Sequence, residues 1–432
     1  MANLLLPLLT ASSSHVYRSA YPKYVPLYGN HMATTRSSSE SRDSRPPLHG
    51  VRVLELGTLI AGPFAGRLLA DYGADVIKIE QPGHGDPLRE WGRPVDGHGS
   101  LWSLVQGRGK RSVALDLHEP RAQEAVRRLA AGADVLIENF RPGRLEGWGL
   151  GPERLHEINP GLVMVRISGF GQTGPLADQA CFGTIGEAVG GMRYLTGEPD
   201  RPPARVGLSL GDSIAALYAV IGTLLALGAR QQTGLGQVVD VALAESVFSL
   251  LEGVLPEYSY HGAVRERTGN IAHNSAPTNM YRCADDVYVV VGANSTQLFR
   301  KLAAVIGRPD LRDDPQLQRN PGRVRRADEL DAAIEAWTLG RSSAEVLAIL
   351  REARLPVGRI NSIADIVGEP QFQARGMLAP VEDERLERPV LTPGIVPKLS
   401  RMPSWTPTLG RDVGQDTADV LAEIEREVER TK

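Results

Sequence analysis

Cysteine is almost missing from this chain. Of 432 residues, only Cys181 and Cys283 are thiols, and neither sits in a motif. That excludes a disulfide framework and makes a reducing compartment the default. Both read as small buried hydrophobes. Lysine is nearly as scarce: Lys23, Lys78, Lys110, Lys301, Lys398 and Lys432 are all there is, and arginine carries the remaining positive charge. A formal net charge of −3 leaves no electrostatic footprint for nucleic acid or an anionic membrane surface. No apolar run reaches membrane-spanning length, and the most apolar stretch, Ile214 to Leu227, reads as a buried core helix. His98, His118, His156, His261 and His273 share no short motif, so no metal site is expected. There is no G-x-S-x-G elbow for a serine hydrolase. Gly57, Gly62 and Gly66 follow the first strand pattern, but their spacing is not G-x-G-x-x-G, which excludes the hydride-transfer fingerprint. No internal repeat is present.

What is present is alternation. Val51–Leu56, Asp75–Glu80, Ser112–Leu117, Asp134–Asn139 and Leu162–Ile167 read as strands, with helical periods over Gly62–Tyr72 and Ala122–Ala131 between them. Strand–helix alternation predicts an α/β fold, a Rossmann-like parallel sheet covered on both faces. Residues 1–47 are rich in Ser, Thr, Tyr and Pro without a steady period, which predicts a disordered, dispensable tail. The aperiodic run Arg267–Ser275 reads as a linker. Beyond it, a strand at Val287–Val291 and helices at Gln297–Ile306, Ala327–Trp337 and Ala344–Ala353 predict a smaller α+β domain over 276–377. Arg319, Arg323, Arg325 and Arg326 read as a solvated face. Residues 378–432 form a Pro-rich return segment ending in a charged helix, Asp416–Arg430.

The chemistry concentrates on one carboxylate. Asp212 follows a strand-like, glycine-ended segment, Pro202 to Gly211, and precedes the apolar helix. An aspartate there is commonly an N-cap. The same orphan N–H groups and positive dipole end favour its ionised form. An ionised, held carboxylate can attack a carbonyl as a covalent nucleophile.

The run Val206 to Gln237, with Gly211-Asp212 and then Thr233-Gly234-Leu235-Gly236-Gln237, resembles the class III CoA-transferases, the CaiB/BaiF family. Val51–Leu56 with Ala61-Gly62-Pro63-Phe64-Ala65 is similar to that family's opening strand and turn. Gly73–Glu80 with Gly85–Arg89, Gly109–Leu117, Glu138–Gly143 and Ser168–Pro175 are similar to four further signatures in the same order. The resemblance runs from about Leu48 to about Trp405. It implies that Asp212 carries first the acyl group and then CoA, so that a CoA thioester is a substrate and no prosthetic group is needed. It implies coenzyme contacts from Ala61, Lys110, Arg111, Asn139, Phe140, Arg141 and Gly169. It further implies a large CoA-binding domain over 48–265 whose sheet is built from both chain ends, with the small domain inserted, and an interlocked homodimer.

Ile60, Gln81 and Ser168 depart from the formyl-CoA:oxalate branch, and Gly269–Ser275 stands where that branch has a glycine lid. Ile185 to Asp200, and Leu255-Pro256-Glu257-Tyr258 followed by Val264–Gly269, look like the branch that pairs succinyl-CoA with larger dicarboxylates. Arg193, Arg265 and Arg267 are candidates for the second carboxylate, and backbone near Gly211 and Gly269 for the developing oxyanions. Two other readings stay open: an acyl-CoA racemase of the same fold, for which Phe182 stands where a proton-carrying histidine belongs, and an acyl-CoA-binding protein without turnover. The cytoplasm is the expected location, or the mitochondrial matrix if the tail is a transit peptide.

Overall fold

A computed structural model describes residues 45–402 and 408–431, with side chains through residue 426. The tail expected over residues 1–47 falls almost wholly outside the described residues.

Six parallel strands make the main sheet: β1 (Arg52–Glu55), β2 (Asp75–Glu80), β3 (Lys110–Ala114), β4 (Val135–Glu138), β5 (Val163–Ser168) and β6 (Val238–Ala242). Their order is β3-β2-β1-β4-β5-β6, with Val53 of β1 level with Val76 of β2 and Val135 of β4. The order reverses direction between β1 and β4, and α/β sheets bind ligands at the carboxyl ends of the strands at such a point.

Among the helices around the sheet are, in chain order, α1 (Ala61–Asp71), α2 (Pro120–Ala131), α3 (Pro152–Ile158), α4 (Gly183–Val189) and α5 (Leu210–Thr233). Successive strand side chains point to opposite faces. Val53, Val76, Val135, Ile137, Val163, Val165 and Ile167 therefore pack under α1 and α5. Leu54, Ile77, Ile79, Val113, Leu136 and Met164 pack against Val126 and Leu129 of α2 and Leu155 of α3. A near-continuous apolar strand is the signature of this two-faced burial.

α5 approaches the sheet closely because its inner side is small: Ala215, Ala216 and Ala219 are fully buried, and a Cβ at Gly222 would stand 2.4 Å from Val239. The expectation of a wholly buried helix needs correction. Leu217, Ile221, Leu224 and Leu225 on its other side are exposed, Leu225 by 69%. By length and composition α5 could cross a membrane, and here one of its sides lies on a sheet.

After the short helix α6 (Leu243–Phe248), a second sheet of β7 (Thr278–Arg282), β8 (Tyr288–Gly292) and β9 (Val357–Arg359) runs antiparallel in the order β9-β8-β7. It packs with α7 (Thr296–Val305), α8 (Ala327–Leu339) and α9 (Ser343–Glu352) around Tyr281, Val289, Val291, Leu302, Ile334, Val346 and Leu350. Arg323 corrects the reading of a solvated basic face. It is 1% exposed and donates to the carbonyls of Ala276, Leu317 and Asn294, so it satisfies buried backbone acceptors. The neighbouring Arg326 is the one that meets carboxylates, at Asp314 and Glu329.

The final helix, α10 (Thr417–Thr431), places Val420 and Ile424 against the α2 face of the main sheet. The Asp416 carboxylate accepts from the Ser112 amide at 2.8 Å, and the Thr417 hydroxyl accepts from the Ala114 amide at 2.9 Å. The C-terminal segment thus covers the open edge of β3, where unpaired amides would otherwise template association. The expectation of a sheet built from both chain ends is corrected here: every strand of the main sheet lies between Arg52 and Ala242, and the C-terminal end adds a helix.

Candidate active site

Asp212 is the third residue of α5. The cap position is held by Ser209, which makes no side-chain cap bond, so Asp212 is not the N-cap its local pattern suggests. The segment before it is irregular rather than a strand, since Pro202, Pro203 and Gly207 offer no ladder. No side chain among the described residues donates to the Asp212 carboxylate. Burial, and then the negative charge of Glu187, push its pKa up to about 6, while the field of Arg205 works the other way.

Glycine makes the seat. A Cβ at Gly183, the first residue of α4, would lie 2.0 Å from Asp212 Oδ2. Glu187, one turn on and 2% exposed, accepts the Gly211 amide at 3.1 Å and so fixes the turn that presents Asp212. Arg193 lies 3.5 Å from Glu187 and donates to Thr184 Oγ1. The Gly211 amide is therefore engaged and not a free oxyanion donor. The Gly269 amide is bonded to the Gly197 carbonyl. Neither of these two amides is free as a donor.

The carboxylate opens on a cavity of about 430 Å³ at the carboxyl ends of β1, β4 and β5. That lies within the size range of ligand sites and at the switch point of the sheet. Of the residues expected to meet the coenzyme, Ala61, Asn139, Phe140, Arg141 and Gly169 line this same cavity. Asn139 joins its walls: Oδ1 accepts from the Thr58 amide at 2.7 Å and Nδ2 donates to the Thr58 carbonyl at 2.8 Å. It bridges the loops after β1 and β4 rather than capping the Pro142 turn. Phe140 also borders an adjoining hollow of about 350 Å³, where Trp148 stands edge-on to it at 5.3 Å and Arg144 lies over Trp148 at 4.8 Å.

Lys110 and Arg111 are placed elsewhere, and their assignment as coenzyme contacts is corrected. Lys110 is 4% exposed; its Nζ sits 2.7 Å from Glu55 and donates to the Pro63 carbonyl at 2.7 Å. Desolvation lowers its pKa to about 8. Arg111 forks onto Asp75 at 2.9 and 2.6 Å and reaches Glu423 of α10 at 2.9 Å. One residue fastens the inside of α1, the other fastens α10 to the β3 edge.

Lys110 belongs to a buried charge network that shapes the cavity wall. Lys78 bridges Glu55 at 2.9 Å and Asp86 at 2.8 Å and donates to the Gly57 carbonyl. Asp86 in turn accepts the Leu59 amide at 2.9 Å. Leu59 has φ of +64°, a conformation costly for a leucine and held by that bond. The three glycines of the turn serve this packing. Gly57 and Gly62 approach Asn139, and a Cβ at Gly66 would fall 1.9 Å from Glu55 Oε2.

Several site residues carried no legible role in the sequence. Arg205, Ser209, Thr184, Gly183 and Cys181 line the cavity. Cys181 is half-buried there, packed against both the main core and Gly169; Cys283 is buried in the small-sheet core as expected. Arg193, Arg265 and Arg267 do not line the cavity. Arg265 pairs with Glu257 at 2.8 Å, and Arg267 donates to the Tyr194 carbonyl.

The family model for CoA-transferase family III matches residues 48–417. The succinyl-CoA–D-citramalate CoA-transferase of Chloroflexus aurantiacus is 49% identical over 377 residues, which cover 86% of this chain and 93% of that one. The succinate–glutarate CoA-transferase of Agrobacterium fabrum is 38% identical over 346 residues, 79% of this chain and 86% of that one. A CaiB/BaiF family protein of known structure from Brucella suis is similar with a TM-score of 0.78 at 36% identity, covering 88% of this chain and 100% of that one. With its six-stranded parallel sheet and smaller sheets, this chain belongs to CoA-transferase family III and is an enzyme that transfers CoA, with CoA thioesters as substrates.

Proposed function

We propose that this enzyme moves CoA from succinyl-CoA to a dicarboxylic acid through covalent intermediates on Asp212. The observation that carries the reading is a lone, desolvated carboxylate without a bonded cation, at the wall of a cavity large enough for an acyl chain. Relatives named for succinyl-CoA with D-citramalate and for succinate with glutarate support the choice of substrates.

Asp212 attacks the donor thioester carbonyl and expels CoA thiolate, leaving an aspartyl–succinyl anhydride. The thiolate attacks the aspartyl carbonyl and expels succinate, leaving an aspartyl-CoA thioester. The acceptor carboxylate attacks that thioester, expels the thiolate again and forms a second anhydride. The thiolate then attacks the acceptor's acyl carbonyl and frees Asp212. Each anhydride must be kept from water. The apolar walls Leu59, Ile60, Phe140 and Leu243 contribute to that. The coenzyme runs from the Trp148–Phe140 hollow, where a base can stack, past Asn139 to Asp212.

No histidine lines the Asp212 cavity among the described residues, and Phe182 is 67% exposed beside it. The histidine half of a racemase His–Asp pair is therefore missing beside Asp212. The exposed apolar side of α5, with Leu217, Ile221, Leu224 and Leu225, is an area that soluble chains cover with a partner, and a second copy of this chain is the proposed cover.

Trapping tests the reading. Enzyme turning over succinyl-CoA, quenched with hydroxylamine or borohydride, should carry a mass change on the Asp212 peptide. Asp212→Ala should fold and show no transfer. An unmodified peptide during active turnover, or transfer by Asp212→Ala, would overturn it.

A further inference from the structure

We propose that Arg205 selects the acyl group by binding the non-reacting carboxylate of the donor acid and, after exchange, that of the acceptor. This rests on the reading of Asp212 as the acylated residue, and names the group that makes the same site prefer diacids.

Two guanidinium groups line the cavity, Arg141 and Arg205. They come from different segments of its lining. Arg141 lies on the loop after β4, where Phe140, Pro142 and Arg144 continue with it into an open hollow on the coenzyme side. Arg205 lies on the loop that leads into α5, beside Ser209 and Asp212. Most arginines around the site have a carboxylate: Arg89 has Glu80, Arg111 has Asp75, Arg166 has Glu138, Arg193 has Glu187 and Arg265 has Glu257. Arg141 and Arg205 have none among the described residues. The one polar contact of Arg205 is a long bond to the Leu208 carbonyl at 3.4 Å. Its field nonetheless reaches the Asp212 carboxylate.

A cation is needed at this place for an electrostatic reason. Succinyl-CoA brings its free carboxylate to a cavity bordered by ionised Asp212 and, behind it, by buried Glu187, and the acceptor arrives as a dianion with Glu187 still in place after Asp212 has been thioesterified. Like charges at that range oppose entry, and a forked guanidinium beside the reacting carbon offsets them while fixing which carboxylate reacts. Donor acid and acceptor acid occupy the same space in turn, so one cation serves both half-reactions. The preference for a diacid should therefore be equal in both directions. A monocarboxylate offers Arg205 nothing to bind.

The test compares succinyl-CoA with butyryl-CoA, which keeps the chain length and lacks the carboxylate. For Arg205→Met, kcat/KM for succinyl-CoA should fall about 30- to 1,000-fold, while that for butyryl-CoA stays within a few-fold. The inhibition constant of free succinate should rise by a similar factor. Arg205→Lys, a charge without the fork, should recover part of both. A wild-type succinyl-to-butyryl ratio and a wild-type succinate constant in Arg205→Met would overturn the proposal, as would an equal loss with both donors at an unchanged melting temperature. The two readings fail separately: without Asp212 acylation the wild type shows no trapped adduct with any donor, whereas a failure of Arg205 alone leaves that adduct in place.

Discussion

Gly183 offers the most direct test of where the nucleophile sits. A methyl group there would stand 2.0 Å from Asp212 Oδ2 and 2.6 Å from its Cγ, while Cβ contacts closer than 3.0 Å essentially do not occur. The carboxylate must therefore retreat by about 1 Å or rotate away. Misplacement by about 1 Å costs roughly 100-fold in rate, or about 2.7 kcal/mol of barrier. The backbone at Gly183 is not left-handed, and the residue opens α4, so the backbone gain of about 0.4–1 kcal/mol from alanine offsets part of the roughly 1–3 kcal/mol cost of overpacking against Asp212. Gly183→Ala is thus expected to fold with a loss of at most about 3 kcal/mol, with kcat for CoA transfer down about 100-fold. Calorimetry and a steady-state assay with succinyl-CoA and a dicarboxylate measure both. Wild-type turnover in a folded Gly183→Ala protein would show that Asp212 does not react from this seat.

The raised pKa of Asp212 has a sign that can be checked. Between its ordinary value near 3.8 and about 6, the folded state binds the proton more tightly than the unfolded one, so stability falls as pH rises through that window. Asp212→Asn should then be more stable than the wild type by about 1–3 kcal/mol at pH 8, a gain that shrinks toward pH 4, as denaturant titration at the two pH values would show. Glu187→Gln keeps an acceptor for the Gly211 amide but removes a negative neighbour, so the acidic limb of the pH–rate profile should move to lower pH. An unmoved limb would remove Glu187 from the control of Asp212. Lys110→Met should cost about 3–5 kcal/mol in chemical denaturation, because it takes one of two cations from fully buried Glu55; a loss of coenzyme affinity without a loss of stability would restore Lys110 as a ligand. Leu225→Glu on the exposed side of α5 should yield a monomer in sedimentation where the wild type sediments as a dimer.

The main sheet was legible because its strands are apolar on both faces, and period and length then agree. β6 went unread because Val238-Val239-Asp240-Val241-Ala242 follows α5 almost at once and carries a charge in its middle; Asp240 accepts the Gln172 amide at 3.0 Å, a use that only the fold reveals. β7 was missed because Thr278-Asn279-Met280-Tyr281-Arg282 shows no clear alternation: only Tyr281 is buried in full. In the site, Asn139, Phe140 and Arg141 were legible as a unit because a strand end delivers them together. Lys110 and Arg111 misled because a resemblance assigns a whole segment to the coenzyme and does not say which way its side chains turn. Their partners, Glu55, Asp75 and Glu423, are 55, 36 and 312 positions away for a reader who has only the chain order, and nothing local marks them.

Arg205 was passed over for the opposite reason. Arg193, Arg265 and Arg267 sit in segments that look like a recognition motif, yet each already has a protein acceptor. On this proposal the useful cation is one that the fold leaves without a carboxylate and whose field reaches Asp212, and that is a property of three-dimensional neighbours. The same logic applies to Asp212. A carboxylate near a helix start could have been capped or paired, which would have stabilised its charge and blunted it as a nucleophile. Here the cap is elsewhere, the nearest carboxylate is repulsive, and the glycine opposite leaves the oxygen uncovered. With a pKa of about 6 the group remains more than roughly nine-tenths ionised at pH 7.5. It is therefore anionic and poorly solvated, and on the proposed mechanism attack on a thioester carbonyl, with the far end of the acyl group held by Arg205, would relieve a strain in charge that the fold itself has set up.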